Sequence, residues 1–189
     1  MLKRILVILF TLAVLGIGGV VAFDYFLGNH DPSITPINLK NVTPSQIVET
    51  SARSFFVVDY NKPTAWLETM RPLASEEGNR LLRDVVAPAL WPDFQRLQTK
   101  VEAKQVHAAD KGKVLSGYSQ TAKTDWEIHV VQVTLDSAVK WPGKTGAFET
   151  YILINKTPDG WRFTSFLADE MVKQLAEAQG LKSIQTPTK

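Results

Sequence analysis

Glu127 and His129 are the residues whose types and spacing could most directly support chemistry. They stand two apart in the segment TDWEIHVVQVTL, and residues two apart in a β-strand point to the same face. A carboxylate beside an imidazole is an arrangement used in general acid–base catalysis. A polar, exposed strand face explains the same two residues without any chemistry, and it is the interpretation that we adopt.

Other kinds of catalytic or cofactor site find little support in the sequence. The chain has no cysteine, which excludes a thiol nucleophile, a disulfide framework and a zinc finger. Its three histidines, His30, His107 and His129, form no close pair, so a metal site is poorly supported. Serine-nucleophile motifs, glycine-rich phosphate loops and paired catalytic carboxylates are absent. We therefore predict no catalytic residue, no cofactor and no metal.

Residues 1–27 are predicted to form a membrane anchor. The run from Ile5 to Phe23 is 19 residues without a charge, and a helix of that length crosses roughly the 30 Å hydrocarbon core of a bilayer. Lys3 and Arg4 precede the run, which predicts a cytoplasmic N-terminus and an extracytoplasmic domain. The aromatic residues suited to the outer membrane interface are Phe23, Tyr25 and Phe26.

A cleavable signal peptide is the alternative interpretation of the same segment. Val20-Val21-Ala22 could form a small-residue cleavage site. The apolar run is longer than the usual signal, at about 18 residues against about 7–15. We therefore favour a retained anchor.

The charge of the remaining chain argues against a nucleic-acid partner. Without Lys3 and Arg4 the 21 basic residues become 19, which equals the number of acidic residues. A nucleic-acid binder needs a basic excess to neutralise phosphates.

Residues 28–42 contain two prolines and three asparagines, which indicates an extended linker. Residues 181–189 are predicted to be a flexible tail.

The first half of the domain, predicted over residues 43–180, reads as helical. Thr43-Pro44-Ser45-Gln46 is a capping-box start, and apolar residues at helical spacing then continue to about Tyr60. A short second helix carries Trp66, and a third begins at Ser75. Pro88 and Pro92 predict that this third helix does not continue unbroken.

The second half reads as strands, because the apolar period changes from 3.6 toward 2 after about Gln98. Strands are predicted at residues 100–109, 113–120, 124–135, 147–155 and 161–167. Thr157-Pro158-Asp159-Gly160 forms the turn before the last strand. A closing helix covers about residues 169–179. Helices first and antiparallel strands second predict an α+β domain with helices packed on a curved sheet. The predicted core includes Phe55, Val85, Ile128 and Phe163.

This order resembles the nuclear-transport-factor-2-like superfamily, a cone-shaped α+β fold. The segments that carry the resemblance are VETSARSFFVVDY, WLETMRPLASEEGNRLL and TYILINKTPDGWRFTSFLAD. With an N-terminal anchor, the chain looks like membrane-tethered bacterial members of that superfamily. These members include bridging subunits of conjugative type IV secretion systems and proteins associated with mammalian-cell-entry lipid transporters.

The resemblance also implies where a pocket would lie. Enzymatic members use an aspartate, histidine or tyrosine that points into the cone, and Asp59 and Tyr60 close the first predicted helix where such a residue could sit. Together with His129 they form a weak candidate pocket. The simpler interpretation is that Asp59 is a solvated or capping residue beside Asn61.

Trp141, in the loop KWPGKTG, is the candidate interface residue. If its ring is exposed, it is a contact residue; the alternative is that it packs back over the sheet edge. The leading functional hypothesis is a non-enzymatic, membrane-anchored assembly subunit of a bacterial envelope transport machine, partnered by other subunits and by copies of itself. The alternatives are an extracytoplasmic carrier or lipid-transport accessory, and a tethered lyase- or isomerase-like enzyme.

Overall fold

The computed structural model describes residues 41–180, which form an α+β fold with helices packed on an antiparallel sheet. Four strands form this sheet in the order in which they follow along the chain, and two short strands form a separate ribbon. The coarse fold class predicted from the sequence is therefore confirmed. Among these residues, no helix is both long and apolar enough to cross a bilayer. The predicted anchor, the tail at 181–189 and residues 28–40 of the linker lie outside the described residues.

Helix α1 spans Pro44–Phe56 and begins at the capping box that the sequence predicts. The Thr43 side chain accepts from the Gln46 N–H at 3.3 Å, and Gln46 Oε1 accepts from the Thr43 N–H at 3.0 Å. The helix ends four residues before the predicted end at Tyr60, because Val58–Asp59 becomes strand β1 and pairs with β2 (Lys100–Val101). Pairing with a distant strand overrides the helical pattern of the local sequence.

The next helices are α2 (Pro63–Met70), α3 (Glu76–Leu81) and α4 (Ala87–Leu97). The predicted break at Pro88 and Pro92 is wrong: a π-helical turn, Leu82–Val86, joins α3 to α4 and helical structure continues to Leu97. The wider turn comes just before Pro88, where a normal α-helix would lose a hydrogen bond and clash with the proline ring.

Val85 lies inside this turn and is only half-buried, so its predicted core position is also wrong. A π turn holds more residues than an α turn and rotates the side chains that follow it out of the 3.6-residue period. The other three predicted core residues, Phe55, Ile128 and Phe163, are buried.

The sheet is formed by β3 (Val106–Ser119), β4 (Thr124–Leu135), β5 (Ala147–Thr157) and β6 (Gly160–Leu167). The two strands predicted at 100–109 and 113–120 are instead the short β2 and the single long β3. Register shifts interrupt β3 between Asp110 and Gly112 and again between Lys113 and Leu115. These bulges mimic a strand break in the sequence, because an extra residue shifts the alternation of faces.

Each face of the sheet is covered by different helices. One face packs beneath α1 to α4 and carries the larger core, including Val131 and Val133 of β4. The other face carries a smaller core with Ile128 and Val130, covered by α5 (Asp169–Ala178). The alternation along β4 therefore places His129 on the face beneath the larger set of helices.

Candidate functional site

His129 lies in the middle of β4, opposite Lys113 of β3 and Ile152 of β5. Only 5% of the residue is exposed. The interpretation of Glu127 and His129 as part of an exposed strand face is therefore wrong. The strand is polar on this face, but α1 packs over it, and Glu49 of α1 accepts a hydrogen bond from the Asp110 backbone N–H at 3.0 Å.

Both nitrogens of the His129 ring contact carboxylates. Nδ1 lies 3.0 Å from Asp110 Oδ2, and Nε2 lies 2.9 Å from Glu127 Oε2. Lys113 Nζ donates to the other oxygen of Glu127 at 3.1 Å. We call Asp110, Lys113, Glu127 and His129 the buried polar cluster, although the Lys113 side chain is 48% exposed and reaches the surface.

The charges of this cluster can balance. A neutral imidazole has one N–H, whereas the doubly protonated ring has two donors. Only that cationic ring can donate to both carboxylates at once. Its charge and that of Lys113 would then equal the two negative charges of Asp110 and Glu127. A balanced, hydrogen-bonded set is the form in which charged groups are tolerated inside a protein.

Two opposing effects act on the pKa of Glu127. Burial raises the pKa of the carboxyl group, while the hydrogen bonds from His129 and Lys113 lower it, and the combined effect leaves the pKa below its usual value. The unfolded chain therefore binds more protons than the folded one as the pH falls through this range. The stabilisation from ionised Glu127 is present above its ordinary carboxyl pKa and is lost as the pH falls through the lowered value.

This loss of stability at low pH gives a prediction for Glu127→Gln. The variant should melt below the wild type at pH 7, and the difference should shrink as the pH is lowered from about 5 toward 3, because the unfolded wild type takes up a proton at Glu127 before the folded protein does. Thermal melts of the two full-length proteins across this pH range would measure it. Glu77→Ala, a change at an exposed residue, should show no such narrowing. A difference that stays constant with pH would contradict the prediction.

The cluster is built to hold charge rather than to offer a free reactive group. Each ring nitrogen of His129 already faces a carboxylate, so neither is open to a substrate. Within residues 41–180, no group of three or more His, Cys, Asp or Glu side chains could hold a metal ion. A depression of about 220 Å³ opens beside Lys113, lined also by Val114, Leu115, Ser116 and Gln179.

Asp59 and Tyr60 lie elsewhere and do not form a pocket with His129. Asp59 is in the β1–β2 ribbon, where its carboxylate accepts from the Asn61 N–H at 3.0 Å. This bond keeps the Asp59 carboxylate in a turn beside Asn61, while the residue at the N-cap of α2 is Lys62. Tyr60 is half-buried, and its carbonyl accepts from Trp91 Nε1 at 3.0 Å.

Trp141 is 6% exposed, so the expectation of an exposed interface ring is wrong; the ring packs back against the domain, where it contacts residues of α1 and α4. Its ring centroid lies 4.7 Å from that of Phe56, 4.8 Å from Phe94 and 6.0 Å from Phe55. The ring of Phe166 contacts two of these three, at 4.6 Å from Phe55 and 6.0 Å from Phe56. We call these five residues the aromatic cluster; they occupy the space between α1, α4 and the sheet.

Sequence reasoning missed Asp110 and Glu49 as members of the site. Asp110 is 19 residues from His129, and Glu49 is 61 residues from Asp110. The available signal was the segment HAADKGK, where an aspartate precedes Lys-Gly in a strand pattern; the Gly112 φ of 112° marks the bulge.

The anchor residues Ile5, Phe23, Tyr25 and Phe26, with Lys3 and Arg4, lie outside the described residues.

Three comparisons with known proteins add nothing to this geometry. No family model, no curated protein and no solved structure matches the chain. Function must therefore be inferred from the chain's own residues.

Proposed function

We propose that the chain is a non-enzymatic, membrane-anchored assembly subunit of a bacterial envelope transport machine, most like a conjugative type IV secretion component. In this proposal residues 1–27 hold the chain in the inner membrane, and a nuclear-transport-factor-2-like cone lies outside the cytoplasm. Its partners are other subunits of the complex and further copies of itself. The observation that carries the proposal is the closed aromatic interior between the helices and the sheet.

The aromatic cluster argues against a ligand carrier. Pockets for small molecules are usually clefts of roughly 300–1,000 Å³ with apolar walls. Here the rings of Phe55, Phe56 and Trp141 contact one another where such a ligand would sit. The depression of about 220 Å³ beside Lys113 is lined partly by polar side chains and lies open to solvent at the sheet edge. A protein whose interior is filled acts through its surface.

A tethered enzyme is the second candidate, and the buried polar cluster favours it. A buried histidine with an aspartate on one nitrogen is the kind of group that catalysis employs. The second carboxylate argues the other way, because Glu127 occupies the nitrogen that would meet a substrate. The same cluster is explained as a structural link between β3, β4 and α1.

Native complexes in membranes of the bacterial source test the assembly proposal. The full chain carries a C-terminal epitope, and its membranes are cross-linked and solubilised in mild detergent. We expect the epitope in a complex several times larger than the 21.1 kDa chain. A matched chain that carries an added cleavable export signal in place of residues 1–27 should leave the membrane fraction. Recovery of the full chain as a free monomer would contradict the proposal, and protection of the epitope from protease in spheroplasts would contradict its topology.

A further inference from the structure

The end of α5 lies against the outer edge of β3. Gln179 Nε2 donates to the Ser116 carbonyl at 3.2 Å. A Cβ atom at Gly117 would lie 2.5 Å from the Trp126 ring and 3.0 Å from Gln179 Nε2, so the glycine lets both side chains approach the strand closely. Gly180 comes next with φ at 75°, a left-handed conformation that ends the helix and turns the chain. The segment that follows Gly180 therefore begins beside this edge.

The edge of β3 is open at the same place. In the described part of the chain, β3 has a neighbouring strand on one side only. Its register with β4 is regular from Leu115 to Ser119, beyond both register shifts. In an antiparallel ladder, alternate residues direct their backbone groups to opposite sides of the strand. Since the Ser116 carbonyl is directed to Gln179, the backbone groups of Tyr118 also point away from β4. Another strand can pair with these groups.

Two exposed apolar side chains flank this stretch of β3. Tyr118, two residues after Ser116, is 50% exposed, and Leu175, one helical turn before Gln179, is 37% exposed. They are the exposed large hydrophobic side chains of the described part of the chain. Gly117 faces α5, so Tyr118 lies on the opposite face of the sheet. The two apolar side chains therefore stand on either side of the open edge.

We propose that residues 181–186 bind along this edge as a fifth strand, which runs in the same direction as β3 and covers Leu175 and Tyr118. The sequence alone predicts a flexible tail here, and the open edge gives that segment a place to bind. A segment held beside the edge by Gly180 has a much higher effective concentration there than a free partner. The added strand holds or fails independently of the envelope function proposed above.

The spacing of the apolar residues in LKSIQTPTK, the segment after Gly180, suits this place. Leu181 and Ile184 are three residues apart, and residues three apart in a strand point to opposite faces. Leu181 then lies beside Leu175 on the face of α5, and Ile184 lies beside Tyr118 on the other face. A strand rises about 10 Å over this distance, enough to pass both exposed side chains. Pro187 has no N–H to donate and ends the pairing.

The test compares the full chain in mild detergent with the same chain lacking residues 181–189. Amide hydrogen exchange is followed at Ser116 and Tyr118, and in β6 as an internal reference. We expect the two β3 amides to exchange about tenfold faster in the shortened chain, because paired amides are protected. The β6 amides should exchange equally in both chains. Equal exchange at Ser116 and Tyr118 in the two chains would overturn the proposal.

Full-length variants separate binding of the segment from the loss of chain length, and they carry the test if the shortened chain does not fold. Leu181→Ser with Ile184→Ser should expose the two β3 amides as the deletion does. Ser183→Ala with Gln185→Ala changes two polar residues of the same segment and should keep wild-type protection. The reverse order of these two variants would contradict the proposal. Wild-type protection that rises with protein concentration would also contradict it, because a second copy would then cover the edge.

Discussion

Trp141→Ala is expected to lower the free energy of unfolding by about 3–5 kcal/mol, the usual cost of removing a large buried aromatic side chain. The ring is 6% exposed and contacts Phe55, Phe56 and Phe94. These neighbours come from α1 and α4, which cannot both move to fill the space. Their edge-on and tilted contacts with the indole would be lost together with its buried area.

Thermal and denaturant unfolding of the full chain would measure this effect, and a loss of this size should lower the melting temperature by roughly 10 °C. Trp141→Phe keeps a ring in place and should cost clearly less. Tyr118→Ala is the matched control, because Tyr118 is 50% exposed and its removal should change the melting temperature little. If Trp141→Ala melted like the Tyr118 variant, the ring would have to be a surface residue after all.

The elements that could be predicted from the sequence are those set by short-range signals. The start of α1 depends on Thr43 and Gln46, which are three residues apart and bond to each other. The β5–β6 hairpin is set by a four-residue turn, and Thr157 pairs with Gly160 across it. Gly180 follows α5 with φ at 75°, the left-handed conformation that often ends a helix. In each case the physical cause lies within one turn of chain.

One error came from pairing between distant segments and the other from a local change of helix type. α1 ends early because β1 pairs with β2, some 40 residues later. Val85 leaves the core because a π turn precedes Pro88, and nothing in the apolar spacing indicates that extra residue. Periodicity assumes a constant number of residues per turn, so it fails where the backbone changes its helix type.

The candidate site depends even more on contacts that sequence spacing does not reveal. Glu127 and His129 could be paired from their spacing, but their burial depends on α1 lying across the strand. Asp110 joins them only because β3 pairs in a register that places it near His129 across a bulge. Sequence spacing reveals which face a residue takes on its own strand, and it does not reveal what covers that face.

His129→Leu is expected to be as costly as the loss of Trp141, for a different reason. The variant leaves the Asp110 and Glu127 carboxylates without the ring that contacts both, and the Asp110 side chain is only 6% exposed. Removing one partner from a buried charged set typically costs about 3–5 kcal/mol, because the remaining charge is left buried and unpaired. Denaturant unfolding at neutral pH would measure the loss, and a cost below about 1 kcal/mol would contradict it.

A variant in which the buried part of the cluster is neutral distinguishes the effect of buried charge on stability from a catalytic role of these residues. Asp110→Asn, Glu127→Gln and His129→Gln together remove the ionisable groups around the His129 ring but keep polar groups, including a side-chain amide oxygen at position 110 that can still accept from the Gly112 N–H. Lys113 is left unpaired, but its side chain is half-exposed and can be hydrated. We therefore expect this triple variant to be more stable than His129→Leu, which no additive sum of single losses would give.

The triple variant also decides between the two candidate functions. An assembly subunit acts through its surface, so a variant with a normal melt should still enter the native membrane complex and support its activity. An enzyme that used His129 or its carboxylates would keep its fold and its place in the membrane but lose its activity, because no amide can exchange a proton as imidazole or carboxylate does. Retained activity with a normal melt would support the assembly proposal. Loss of activity, with folding and complex formation intact, would overturn it in favour of the tethered enzyme.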